Sequence, residues 1–178
     1  GTVGGYDYEA TAGGMNPIAY WSFDETAGST TAADSSGNNI TATVVGAVTE
    51  GVTSAAGLGT AFKFTSGSSI DPAVIAANAN YVTASNAGLS VEDSSFTHLV
   101  WINPSLSDSG YHAVMGYQAS DAKDRYPSLY VYNGNGSTAA LHGGFGDDTN
   151  WNSYISAGNV IQQNAWNLVV QRFDVTSG

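Results

Sequence analysis

Residues 18–28 read IAYWSFDETAG and residues 33–39 read ADSSGNN. In the first run Ala19, Trp21 and Phe23 alternate with other residues, and a period of two puts them on one face of an extended chain. The second run is an acidic turn with glycine, dense in carboxylate, amide and hydroxyl oxygens. Together they predict a half-buried β-strand that enters a loop with the donor set of a hard cation. This points to an extracellular β-sandwich and away from an intracellular enzyme.

Working outward, the same short-strand grammar repeats. Ile40–Val48 is β-branched and Thr-rich, as strands are. Ala61–Phe64 puts Phe62 and Phe64 on one face, and Tyr81–Thr83 is a further short strand. Phe96–Ile102 carries enough apolar residues for both of its faces to be covered, and Pro104 closes it by removing a ladder donor. His112–Tyr117, Ser128–Tyr132, Ala139–Gly144 and Trp166–Phe173 follow. Asn133-Gly134-Asn135-Gly136 predicts a tight hairpin turn, because Asn and Gly tolerate positive φ. Asp71–Ala79 reads as one or two helical turns inside a loop. The whole predicts an all-β sandwich over residues 17–178, preceded by a Gly-rich arm or linker at residues 1–16 in which Tyr6-Asp7-Tyr8 is a short extended segment. Trp21, Trp101 and Trp166 sit inside strand patterns and are expected in the core.

Composition removes several function classes. Four Lys and Arg face fifteen Asp and Glu, a formal net charge of −11. A chain without a basic patch is a poor partner for nucleic-acid phosphates or anionic lipids, and divalent cations are its natural counter-ions. No run approaches the roughly 18 apolar residues of a membrane span. Charged residues are only 11 %, so Ser, Thr, Asn and Gly must build much of the polar surface. With no cysteine there is neither a disulfide, nor a thiolate metal site, nor a cysteine nucleophile. The profile is that of a secreted protein that relies on its core.

Several pieces in order resemble the laminin-G-like, concanavalin A-like jelly-roll family, in its bacterial extracellular branch. They are Ile18–Glu25 with Gly28; Asp34–Asn39; Gly59–Phe64; Tyr81-Val82; Leu89–Val91; Ser95–Thr97; Trp101–Pro104; and Trp166–Val170 through Phe173-Asp174. The resemblance implies a two-sheet antiparallel jelly roll. In that family a hairpin and a closing strand follow the late strand, so it also implies a sandwich lacking its last strands. The open sheet edge this leaves would let copies of the chain pair as a homo-oligomer.

The candidate cation ligands are Asp24, Asp34 and Asn38, with carbonyls near Ser36 and Gly37, and the resemblance implies calcium there. The same residues read equally as a turn whose Asp34 caps its own backbone. Asp147-Asp148-Thr149-Asn150 is a second acidic loop that reads foremost as a solvated turn. Trp151 and Tyr154, expected in a polar loop beside Asp148, with Tyr126 and His142 lining the same surface, form a candidate sugar-binding set: aromatic faces stack on sugar rings while polar side chains orient hydroxyls. His98 reads as a core histidine. Glu9, Glu25, Glu50 and Glu92 are too scattered for the paired carboxylates of a glycosidase. The expected function is a non-catalytic structural or adhesive module of a secreted or cell-surface protein, stabilised by calcium, with a glycan or a protein surface as ligand. The alternatives are a carbohydrate-binding module and a self-assembling subunit that exchanges strands.

Overall fold

The computed structural model describes residues 2–3, 6–7, 14–55, 57–65, 80–85, 89, 94–116, 123 and 126–176. The expected helical turns at Asp71–Ala79 lie outside them, as does Tyr8. The fold is all-β and built from several antiparallel sheets. Chain contacts divide it into two compact units, Gly1–Ser66 with Asn78–Ser90, and Gly67–Ala77 with Val91–Gly178.

In the first unit β1 (Thr2–Val3) pairs with β2 (Tyr6–Asp7). A three-stranded sheet has the order β3 (Thr31–Ala32), β4 (Ala42–Val45), β7 (Tyr81–Thr83). A hairpin joins β5 (Thr49–Thr53) to β6 (Thr60–Lys63). The expected strand Ile40–Val48 shortens to β4 because Gly46, at φ 82°, turns the chain. Ala32, Ala42 and Phe62 form the buried core, packed by Trp21, Phe23, Val44, Val48, Val82 and Ala84. Phe23 and Phe62 rings lie 4.9 Å apart.

The opening run departs from expectation. Ile18–Phe23 is not a strand; its backbone makes a single isolated β-bridge, Trp21 to Asp34. The physical reason is local. Phe23 sits at φ 57°, which ends any extended run, and the N–H of Tyr20 is taken by the Asp34 side chain in place of a ladder carbonyl. Trp21 is nevertheless held inward, its indole N–H donating to the Ile40 carbonyl at 2.8 Å.

The second unit contains β8 (Phe96–Ile102), β9 (His112–Met115), β10 (Ser128–Asn135), β11 (Thr138–Gly146), β12 (Trp151–Ile155), β13 (Ile161–Gln162) and β14 (Asn167–Phe173). One sheet runs β12-β11-β10-β9, with β13 also on β11; the other is the pair β14-β8. The two pack face to face: Leu129, Val131, Ala139, Ile161 and Val169 are buried together, with Val100, Ile102, Leu106, Val114, Met115 and Leu141 against them. Burying a side chain such as Leu129 stabilises by about 2 kcal/mol.

The Asn-Gly repeat works differently from its first reading. The strands run past Asn133-Gly134, and the turn falls at Gly136-Ser137, with Asn135 opposite Thr138. Asn133, at φ 54°, lies in a bulge instead. A Cβ on Gly134 would come 2.8 Å from Leu106 Cβ, so that glycine admits the 106–108 loop, whereas Gly136, at φ 61° in open space, makes the turn.

The two buried glutamines of this unit are paired. Gln163 accepts from the Leu106 N–H at 2.6 Å and donates to the carbonyls of Gly136 and Thr138. The Gln171 amide donates to the Ser128 carbonyl, so its oxygen is the acceptor facing His98, and Nδ1 of His98 carries the proton. Burial holds His98 below the ordinary histidine pKa, against the smaller opposing effect of that bond.

The outer face of β8 and β14 corrects the expectation that both faces of Phe96–Ile102 are covered. Leu99, Leu168 and Val170 are exposed there by 43 %, 41 % and 54 %. Trp101 belongs to that face and not to the core, since Val100 and Ile102 take the inner positions.

Candidate functional site

Asp34 is heavily bonded, each of its carboxylate oxygens accepting twice. Oδ1 accepts from the N–H groups of Tyr20 and Ser36, each at 2.9 Å; Oδ2 accepts from the Ile40 N–H at 2.9 Å and the Ser36 hydroxyl at 2.8 Å. Burial by itself raises the carboxyl pKa, but the bonds from Tyr20, Ile40 and Ser36 together outweigh it and bring the value to about 2, from an ordinary 3.8. Asn38 joins the same knot: its amide donates to the Ile18 carbonyl at 2.9 Å and its N–H to the Ser36 hydroxyl.

Asp24 is bonded elsewhere. Its Oδ1 accepts from the Thr60 N–H at 2.6 Å and lies where a Cβ on Gly59 would stand, so it ties the turn after Phe23 to the β5–β6 hairpin. Of the three expected cation ligands, Asp34 and Asn38 are therefore brought together and Asp24 serves another contact. Among the described residues no group of three or more His, Cys, Asp or Glu is arranged to hold a metal ion. Each Asp34 oxygen already has two donors, so an ion there would have to share them.

The second acidic loop closes the hairpin from β11 to β12. Asp147 accepts from the N–H groups of Thr149 and Asn150 and from the Asn152 side chain, at 3.0, 2.6 and 2.8 Å. The Asn152 bond, followed by those backbone bonds, holds its carboxyl below the ordinary range. Asp148 has φ 62°, and its N–H donates to the Lys123 carbonyl.

The sugar-binding set is divided by the pleat. Residues 151–155 form strand β12, not the polar loop expected, so Trp151 and Tyr154 point to opposite faces. A glycine pair on β11 makes room for both rings. A Cβ on Gly144 would lie 2.7 Å from the Trp151 ring, and a Cβ on Gly143 would lie 2.7 Å from the Tyr154 hydroxyl. Trp151 shares its face with His142, whose ring stacks on it at 6.2 Å; Tyr154 shares the inner face with the core residue Leu141. Burial raises the Tyr154 pKa. Tyr126 lies just before β10, its carbonyl accepting from the Ser128 hydroxyl.

Around Trp151 the structure gathers the expected His142 together with Tyr111, Tyr130 and Tyr132, which sequence reasoning did not group with it. Tyr111 stacks on Tyr132 at 5.0 Å with the planes 10° apart. His142 meets Tyr111, Tyr130 and Tyr132 edge to face, at 5.1, 5.9 and 5.9 Å. Tyr130 is buried; Tyr111, Tyr132, His142 and Trp151 are half-buried. All lie on the face of the sheet opposite Leu129, Val131 and Leu141, hence away from the β8–β14 layer. Burial holds His142 below its ordinary pKa, so the ring is neutral near pH 7. The alternation Tyr130-x-Tyr132 was a usable signal, but its partners come from β11, β12 and the segment before β9.

Comparison with family models, with curated proteins and with solved structures gives no match. Among the described residues no helix is long and apolar enough to cross a membrane.

Proposed function

We propose that this chain is a non-catalytic adhesive module of a secreted or cell-surface protein, a jelly roll of concanavalin A type, and that it adheres by binding neutral glycans. The observation that carries the reading is the aromatic face of Tyr111, Tyr132, His142 and Trp151, placed on the side of the sheet that the core does not use. Half-buried aromatic rings offer apolar faces with polar tips, the surface on which sugar rings stack. The net charge of −11 disfavours anionic polysaccharides, hence the choice of neutral ones. Face-to-face packing of antiparallel sheets in the second unit supports the jelly-roll reading. The non-catalytic reading draws support from Glu25 and Glu50, which accept hydrogen bonds from the N–H groups of Ala33 and Gly28. The four hydrogen bonds on the Asp34 oxygens favour a loop held by its own donors over one held by calcium.

The test is titration of the protein with a panel of neutral oligosaccharides, read by intrinsic tryptophan fluorescence. A saturable change is expected, lost in Trp151→Ala and retained in Tyr154→Ala, since the two rings lie on opposite faces. No saturable change with any member of the panel, or equal loss in both variants, sinks the assignment of this face.

A further inference from the structure

Strand β12 carries three kinds of side chain on its outer face. Ile155 stands directly opposite His142, Ser153 opposite Gly144, and Trp151 opposite Gly146. Opposed residues of an antiparallel pair share a face, so all three stand on the side of the sheet that bears the aromatic rings. The run is an indole, a hydroxyl and an aliphatic chain, roughly 13 Å from end to end at the rise of a strand. Gly144 brings its parts together. The Trp151 ring leans from its own position opposite Gly146 to lie over Gly144, where a Cβ would meet it at 2.7 Å, and so comes up beside Ser153. Ser153 is exposed, and among the described residues its hydroxyl bonds to no protein group. Ile155 is 55 % exposed. A lone aliphatic chain in water is ordinary on a protein surface, but this one faces His142 and so continues the aromatic face.

We infer that this strip selects neutral glycans whose sugars carry an acetamido group, with the acetyl methyl resting on Ile155 and the amide turned to Ser153. The inference rests on the glycan reading of the aromatic face and narrows it to one substrate class. Complementarity carries it. A plain hexose turns hydroxyls outward around its rim, and an aliphatic side chain there would take water from them without returning a hydrogen bond. An acetamido group is the reverse. It ends in a methyl that gains by leaving water, and behind the methyl stands an amide that needs a hydrogen-bond partner. The strip offers these contacts in that order: Trp151 for the apolar face of the sugar ring, the free Ser153 hydroxyl for the amide, and Ile155 for the methyl. The acetylated sugar is also uncharged, whereas a sugar acid would be repelled by a chain of net charge −11. A 6-deoxy sugar presents a methyl too, but it has no amide to use Ser153.

The probes are two β-1,4-linked tetramers of equal length, one of N-acetylglucosamine and one of glucose, with a 6-deoxyhexose oligosaccharide as a third. Each is titrated against the full chain by tryptophan fluorescence, and saturation transfer to the acetyl methyl protons is followed by NMR. The acetylated tetramer is expected to bind about tenfold more tightly than the glucose tetramer, as one buried methyl and one added hydrogen bond together imply. Its methyl protons should receive the strongest transfer. Ile155→Ser should bring the two tetramers to equal affinity, whereas Ile155→Val, which keeps an aliphatic surface, should retain the preference. Equal, saturable binding of both tetramers by the unsubstituted protein overturns this inference and leaves the glycan reading standing; no binding of any probe overturns both. A preference that survives Ile155→Ser overturns it by placing the methyl elsewhere. Tighter binding of the 6-deoxy probe overturns it by giving Ile155 a different methyl.

Discussion

Asp34 and Asp147 begin turns of similar chemistry, yet the two carboxylates reach over different distances. Asp147 bonds only to Thr149, Asn150 and Asn152, all within five residues, and stays at the surface. Asp34 also bonds to its own turn through Ser36, but it reaches Tyr20, fourteen residues back, and Ile40, six ahead. The first shapes a loop. The second holds an opening segment that has no ladder of its own. A turn residue becomes a tertiary clamp when the chain it must hold lacks backbone partners.

The largest expected effect follows from removing that clamp. Asp34→Ala leaves the N–H groups of Tyr20 and Ile40 without their acceptor and should destabilise the first unit by about 3 kcal/mol. On a chain of this size that is roughly 6–12 °C in thermal midpoint. Asp34→Asn keeps one acceptor oxygen and should recover part of the loss. The unsubstituted protein should melt at the same temperature in calcium and in excess chelator. A rise with calcium that Asp34→Ala abolishes would show that an ion holds the loop in place of the N–H donors.

Acid should act next. The Asp34 carboxyl is depressed from 3.8 to about 2 on folding. Its contribution is thus fully present above the unfolded value, and it fades as the pH falls from about 4 towards 2. Denaturant midpoints measured through this window should fall in the unsubstituted protein, and the part due to Asp34 should vanish in Asp34→Asn. A curve identical in both proteins would deny Asp34 this role.

The smallest effect is expected from Asp147→Ala, which loosens an exposed loop and leaves the midpoint nearly unchanged. Faster exchange should appear at the amides of Thr149 and Asn150. A loss as large as that of Asp34→Ala would erase the distinction between local cap and tertiary clamp.

Much of the fold was legible in the residues. The alternation in Phe96–Ile102 and Trp166–Phe173 was read as strands, and β8 and β14 are those strands, paired in a seven-residue register. Asn-Gly repeats announced a hairpin, though not which glycine turns the chain. The candidate site was less legible. Trp151 and Tyr154 are close in sequence, but a strand's two-residue period sends residues three apart to opposite faces. His142 was read beside Trp151, but Tyr111, Tyr130 and Tyr132 were hidden because they lie 40, 21 and 19 residues away along the chain.

By itself the sequence determined what short-range physics governs: all-β character, the turns, the absence of cysteine chemistry and the strongly acidic charge. Tertiary structure alone decided that Ile18–Phe23 is a tethered coil and that the aromatic rings gather on the outer face. Each of these depends on which distant segment supplies a hydrogen bond or covers a face. Strand period and turn propensity carry no information about partners tens of residues away.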